Sequence, residues 1–181
     1  MTARIAPAQP PFESDIAERI DKTMKGRPPL WLFATLARDP RLARKFFSGS
    51  LLDRGHLTIR QREIVIDRTT ALCRSEYEWG VHVTGFAKLA ELTHEQVRST
   101  VLGSAADACW SDEEKLLIRV CDALHSYCDI DDQLWASLSA TFPENALMEL
   151  LMLAGFYRTV SYLTNALRMP LEGIAERFPT A

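Results

Sequence analysis

Glu78 and His82 stand four residues apart in Ser75-Glu76-Tyr77-Glu78-Trp79-Gly80-Val81-His82, a segment whose pattern predicts a helix. At that spacing the two side chains share one helix face. A carboxylate touching an imidazole can fix the ring's tautomer, and the ring can give or take a proton near neutral pH. Glu63 lies one predicted helix earlier. Antiparallel packing of the two helices would bring its carboxylate toward the same face. Tyr77 and Trp79 flank the pair and suit the wall of an apolar pocket with a polar edge. A plainer account fits the same residues. Ser75-x-x-Glu78 has the form of a capping box, and a Glu–His pair at this spacing stabilises a helix by roughly 0.2–0.5 kcal/mol without further purpose. Spacing alone leaves both accounts standing. Glu-x-x-x-His supplies two metal ligands and no third is in view, so no metal is expected. His56, His94 and His125, at a turn, beside a cap and late in a helix, read as structural or solvated.

The elements that must position these groups are helical almost throughout. Apolar residues recur at helical period, and no alternating apolar–polar run suggests a sheet. Ile16, Ile20 and Met24 mark a first helix that Gly26 and Pro28-Pro29 stop. A short helix over Trp31–Ala37 and another over Arg41–Leu52 follow, the latter with Leu42, Phe46 and Phe47 inward. Thr58-x-x-Gln61, Ser75-x-x-Glu78, Thr93-x-x-Gln96 and Ser111-x-x-Glu114 each fit a capping box that opens a helix. The helix from Thr58 carries Ile59, Glu63, Ile66 and Thr70 on one stripe, and the one from Ser75 runs through His82, Phe86 and Leu89. Asp131–Phe142 and Glu144–Met169 complete about nine helices, with 103–109 as the clearest loop. The expectation is an all-α, single-domain multi-helix bundle over 14–181, preceded by an N-terminal arm over 1–13.

Composition narrows the partners. Hydrophobic residues at 47% and charged residues at 25% describe an ordinary globular chain. A net charge of −3 without a basic block lacks the electrostatic footprint of nucleic-acid binding. Ala146–Leu167 is apolar and nearly long enough to span a bilayer, but it carries Glu149, Arg158 and Asn165. A charge at depth costs about 2.5–3.5 kcal/mol on insertion scales, so a buried soluble helix is expected and no membrane partner. Cys73, Cys109, Cys121 and Cys128 form no CxxC pair. Without a secretion signal, reduced thiols and a cytoplasmic location are the expectation.

The run Gln61-Arg62-Glu63-Ile64-Val65-Ile66-Asp67-Arg68, followed by Cys73-Arg74-Ser75-Glu76-Tyr77-Glu78-Trp79-Gly80-Val81-His82, resembles the core of the carboxymuconolactone decarboxylase and alkylhydroperoxidase D superfamily. Leu147–Leu167, with Gly155-Phe156-Tyr157 and Asn165, is similar to the closing helix of its branch with a Glu-Tyr-Glu-Trp-x-x-His signature. The resemblance covers most of Leu30–Pro170. It implies an alkylhydroperoxidase D-like helical fold and a homo-oligomer: dimer, trimer or hexamer. The peroxidase branch uses a CxxC pair, a His four residues after the second Cys and a Glu twelve before the first. Those offsets place Ser75 and Glu78 at the cysteine positions and keep Glu63 and His82. Neither Ser nor Glu can attack a peroxide or resolve a sulfenic acid.

What the resemblance then implies is a proton relay, as in the decarboxylase branch. His82 is cast as general acid/base, Glu78 as its orienter or proton partner and Glu63 as a second relay carboxylate. Ser75, Tyr77, Trp79 and Arg68 are the expected substrate contacts; Arg68 could pair with a substrate carboxylate or serve as a structural partner of Glu63. The leading expectation is a cofactor-independent decarboxylase, lyase or isomerase acting on a small carboxylated lactone or related organic acid. One alternative is an antioxidant protein acting on peroxides through Cys73 alone. Another is a non-catalytic oligomer that binds a small ligand. Met148, Leu151, Met152, Phe156, Tyr157 and Leu163 cover more of the last helix's circumference than one intramolecular stripe requires, so part of this surface is expected to be buried between subunits.

Overall fold

The structure, a computed structural model, describes residues 3–180. Residues 1, 2 and 181, the extreme ends of the expected arm and domain, lie outside the described residues. Nine helices and no strand occur among the described residues: α1 (Ser14–Met24), α2 (Trp31–Leu36), α3 (Pro40–Gly49), α4 (Ile59–Leu72), α5 (Glu76–Phe86), α6 (His94–Leu102), α7 (Asp112–Tyr127), α8 (Asp132–Thr141) and α9 (Glu144–Ala166). The chain is all-α. No helix among the described residues is long and apolar enough to cross a membrane.

Local chemistry sets most of these boundaries. Thr58, Thr93 and Ser111 open α4, α6 and α7 with complete capping boxes, in which Gln61, Gln96 and Glu114 return to the cap's own N–H. Asp39 caps α3 and Asp131 caps α8 through side-chain oxygens. Each such cap contributes about 1 kcal/mol. Several ends differ from the sequence reading. Helix α3 starts at Pro40, whose fixed φ suits a first helical position, and stops at Gly49, before Leu51 turns to positive φ. Leu42 faces out, 44% exposed, and Ala43 is the fully buried residue of that helix. Helix α5 stops at Phe86, leaving Leu89 exposed, and α9 stops at Ala166, ahead of positive-φ Arg168.

Helix α4 sits inside the bundle, packed against α5, α6, α7 and α9. It therefore has almost no solvent face. Arg62 through Thr70 are all buried, and six of those nine are polar or charged: Arg62, Glu63, Asp67, Arg68, Thr69 and Thr70. An ordinary amphipathic helix would keep such groups in water. The apolar wall around them comes from Ile64, Val65 and Ile66 of α4, Leu117 and Val120 of α7, and Leu150, Leu153 and Val160 of α9.

The turn between α4 and α5 fixes their relative direction. Ser75 N–H donates to the Thr70 carbonyl and Arg74 N–H to that of Ala71, with Arg74 at φ 56°. That is a Schellman ending, which closes the orphan carbonyls of α4 and reverses the chain in two residues. Asn165 from α9 donates to the Cys73 carbonyl at 2.8 Å and ties the turn to the last helix. The result is the antiparallel hairpin on which the site depends.

The ends of the chain run over the outside of the bundle. In the N-terminal arm, Arg4 N–H donates to the Leu167 carbonyl and Ala8 N–H to that of Ala34. After α9 the chain crosses the outer face of α5. Glu172 accepts from the Tyr77 hydroxyl at 2.5 Å and from Trp31 N–H at 2.6 Å. Phe178 packs edge-on against Trp79, with centroids 5.2 Å apart. Gly80 permits this crossing, since a Cβ there would collide with the Glu176 carbonyl oxygen.

Candidate active site

Ser75 starts α5 by accepting the Glu78 N–H at 3.4 Å, but here the box is half made. Elsewhere the third residue of the helix folds back to the cap; at this start Ser75 N–H is already spent on Thr70. Glu78 is thus released from capping and turns inward. Its Oε1 lies 3.5 Å from His82 Nε2, and its Oε2 is buried without a hydrogen-bond partner among the described residues. The expected reciprocal box at Ser75 is absent, and that absence frees a carboxylate for the core.

His82 is held from both sides. Its Nδ1 lies 2.8 Å from Glu63 Oε2, across the α4–α5 hairpin. Glu63 Oε1 in turn accepts from Arg62 Nε at 3.1 Å. The groups form a continuous chain, Arg62–Glu63–His82–Glu78, in which every side chain is less than a tenth exposed. Phe86, one turn beyond His82, stacks on the imidazole at 5.3 Å with 27° between the planes. Tyr157 from α9 meets it edge-on at 4.9 Å. The Arg62 guanidinium lies 5.8 Å from the Phe86 ring centroid.

Electrostatics follow from this enclosure. Burial by itself drives the His82 pKa down, but the facing charges of Glu63 and Glu78 outweigh it and lift it to about 10. The ring is an imidazolium at neutral pH, with a proton on each nitrogen. Burial, reinforced by Glu78 and Glu63, pushes the Tyr157 phenol well up and keeps it neutral. Burial also raises Asp67, and Glu63 on the same helix raises it further.

The remaining residues singled out in the sequence are engaged away from His82. The Ser75 hydroxyl is 2.7 Å from that of Thr164. The Tyr77 hydroxyl accepts from Leu32 N–H at 3.0 Å while donating to Glu172. Trp79 Nε1 donates to Thr100 Oγ1 at 3.0 Å. Arg68 pairs with Asp122 at 2.7 Å and donates to the carbonyls of Thr100 and Gly103. The partner of Glu63 is Arg62. Of the thiols, Cys73 lies 3.9 Å from His125 Nδ1 and Cys121 turns to the Val65 carbonyl.

Neighbouring folds agree with this arrangement of helices. The chain is similar to an uncharacterized peroxidase-related protein from Ralstonia eutropha with an alkylhydroperoxidase AhpD core, with a TM-score of 0.82 at 17% identity over 94% of this chain and 93% of that one. It is similar also to a peroxidase-related protein from a Silicibacter species, with a TM-score of 0.82 at 11% identity over 94% and 92%. A debrominase in complex with 2,3,4-tribromopyrrole superposes with a TM-score of 0.79 at 13% identity over 96% and 94%. No protein-family model and no curated protein matches the sequence. The fold is alkylhydroperoxidase D-like.

Four site groups emerge from the structure alone. Arg62 had a legible signal, an arginine adjoining Glu63 in sequence. Phe86 lies at i+4 from His82, a spacing that stacks side chains on one face. Asp67 lies at i+4 from Glu63, where a second carboxylate reads in sequence as an outward surface charge. Tyr157 arrives from α9, and nothing local to 63–82 points to it. A surface cleft of about 530 Å³ between the 52–58 loop and the start of α4 has Arg62 on its wall, with Leu52, His56 and Ile59. Arg62 thus touches both the cleft and the buried chain.

Proposed function

We propose that this protein is a cofactor-independent acid/base enzyme, a decarboxylase, lyase or isomerase acting on a small carboxylated lactone or related organic acid. The observation that carries this reading is the buried Arg62–Glu63–His82–Glu78 chain, whose two cations and two anions cancel. Such a chain moves protons without a redox group.

The geometry supports a division of labour. His82, already charged, is the acid and delivers the Nε2 proton. Glu78, with one oxygen free of partners, is the base that takes a proton from substrate carbon or oxygen. Glu63 fixes the imidazolium through Nδ1, and Arg62 holds Glu63 in place. In a decarboxylation the carbon–carbon bond breaks, its electron pair delocalises into the lactone carbonyl, and CO₂ departs. The His82 proton then closes the carbanion. In an isomerisation Glu78 removes a proton and His82 supplies one at the other end of the conjugated system. Arg62, on the wall of the cleft, offers a guanidinium to the substrate's carboxylate. Ser75, Tyr77, Trp79 and Arg68 in this reading hold α5 and α4 in register.

Carbon dioxide release and double-bond migration, measured over a panel of unsaturated lactone acids, test the reading. His82→Ala should abolish turnover of any active member, and full activity in that variant sinks the mechanism. A second reading has one observation in its favour, the Cys73–His125 contact at 3.9 Å, which would serve a lone thiol acting on peroxides. Burial raises the Cys73 thiol, against formation of the thiolate. Peroxide turnover that disappears in Cys73→Ser and survives His82→Ala would favour that second reading.

A further inference from the structure

Asp67 is 1% exposed, and neither of its carboxyl oxygens has a hydrogen-bond partner among the described residues. It follows Glu63 by one helical turn on α4, so the two carboxyls share a face. An ionised carboxylate with no donor and no counter-ion is among the costliest groups to bury. Among the described residues the buried glutamates each face a cation, and Asp67 makes no such pair: Glu63 meets Arg62 and His82, Glu78 meets His82 through one oxygen, and Glu114 meets Arg60.

The groups that face it are few. Glu63 on its own helix, His82 from α5 and Tyr157 from α9 are its titratable neighbours. Glu78 of α5 is engaged with His82. On α7, Cys121 turns to the Val65 carbonyl and Asp122 to Arg68. From α6, Thr100 meets Trp79 and Arg68. His82, the cation whose charge acts on Asp67, is already shared by two carboxylates, and Arg68 turns to Asp122. With Arg62 and His82 positive and Glu63 and Glu78 negative, the cluster is neutral without Asp67. An ionised Asp67 would leave an unbalanced negative charge in the core, which buried clusters do not tolerate.

We propose that Asp67 is a neutral carboxylic acid that stores a proton beside the Glu63–His82 couple, as the reserve from which the relay is recharged. The reserve role rests on the acid/base reading of the site; the stored proton does not. Once His82 gives its proton to substrate, Glu63 is left facing a neutral ring. A protonated acid one turn along the same helix, on the same face, is then the internal donor. The proton leaves the Asp67 carboxyl, Glu63 passes its equivalent to His82, and solvent restores Asp67 afterwards. No electron moves, and one proton enters for each one spent.

Three readouts test the stored proton without any substrate. In the wild-type protein labelled with ¹³C at the aspartate carboxyls, infrared spectra at neutral pH should show one protonated-acid band. Asp67→Asn should lack it. The His82 imidazole, followed by ¹⁵N resonance, should titrate at the same pH in both proteins, because Asn replaces a group that was already uncharged. Stability against pH should separate them. Asp67 takes up a proton on folding, so wild type loses ground to Asp67→Asn by about one bound proton per molecule as pH rises from 4 to 8. Absence of the band overturns the proposal. So does a fall of about one unit or more in the His82 midpoint, the mark of a lost negative neighbour, or two parallel stability curves. If Asp67→Asn does not fold, the wild-type infrared spectrum decides alone. A failed lactone assay with the band present would remove the acid/base reading and leave the stored proton in place.

Discussion

Replacing Glu63 by Gln removes one charge from the middle of the buried chain and almost no volume. Gln can still offer an oxygen to Arg62, now 3.1 Å from Oε1, but it then turns an NH₂ toward His82 Nδ1. That arrangement demands a neutral ring accepting at Nδ1. The His82 pKa should therefore fall from about 10, since burial lowers it and only Glu78 is left to raise it. Each unit of that fall is worth about 1.4 kcal/mol. Breaking a buried pair by removing one partner costs about 3–5 kcal/mol on independent grounds. The sign fixes the pH window. A raised histidine pKa stabilises the fold fully below about 6.5, and that contribution fades as pH rises through about 10. The deficit of Glu63→Gln should thus be largest near pH 6 and shrink by pH 10. Urea unfolding at pH 6, 8 and 10, with ¹⁵N titration of His82, measures both quantities. A deficit below about 1 kcal/mol, or one that stays constant across that range, would refute the account of the chain as a charge-paired unit.

Two further outcomes follow from the outer surfaces. Gly80→Ala sets a methyl group against the Glu176 carbonyl, so the segment after α9 should lift from α5. The expected loss is about 1–3 kcal/mol, with earlier proteolytic cleavage between residues 170 and 180 and an intact Arg62–Glu63–His82–Glu78 chain. On α9, Met148 and Met152 are 61% and 63% exposed, and Tyr162, farther along the helix, is 58% exposed. A second copy of the chain is expected to cover this face. Light scattering should then report an oligomer that Met152→Asp weakens, and a monodisperse monomer at micromolar concentration would remove the expectation.

The helices were legible because their signals are local. Caps at Thr58, Thr93, Ser111 and Asp131 act within four residues, and the apolar periods of α4, α7 and α9 are written in single stretches. The Glu63, Glu78 and His82 group was legible in part for the same reason: one hairpin holds all three. What escaped was long-range. Leu42 points outward because Phe33 and Phe156 meet Phe46 and Phe47 on the other side of α3, a choice made by α2 and α9. Arg68 turns to Asp122 on α7, a pairing with no trace in spacing. Tyr77 and Trp79 carry the composition of a pocket wall, yet Glu172 and Phe178, nearly a hundred residues on, lie against them. Ser75-x-x-Glu78 reads as one more capping box until the Schellman turn takes up the Ser75 N–H.

The absence of a solvent face on α4 has a consequence for descent. On a surface helix a charged residue can be lost singly, at little cost. Inside this bundle, losing any one of Arg62, Glu63, Glu78 or His82 strands its partner in a dry core, whereas exchanging all four for apolar residues of like volume is close to neutral. The site can therefore be kept whole or abandoned whole, and intermediate ancestors are penalised whatever the chemistry. Lineages that share this chain's helices should fall into two groups, those that retain the full quartet and those with an oily patch in its place. Partial sets should be scarce, and where one occurs a compensating charge should sit on α9.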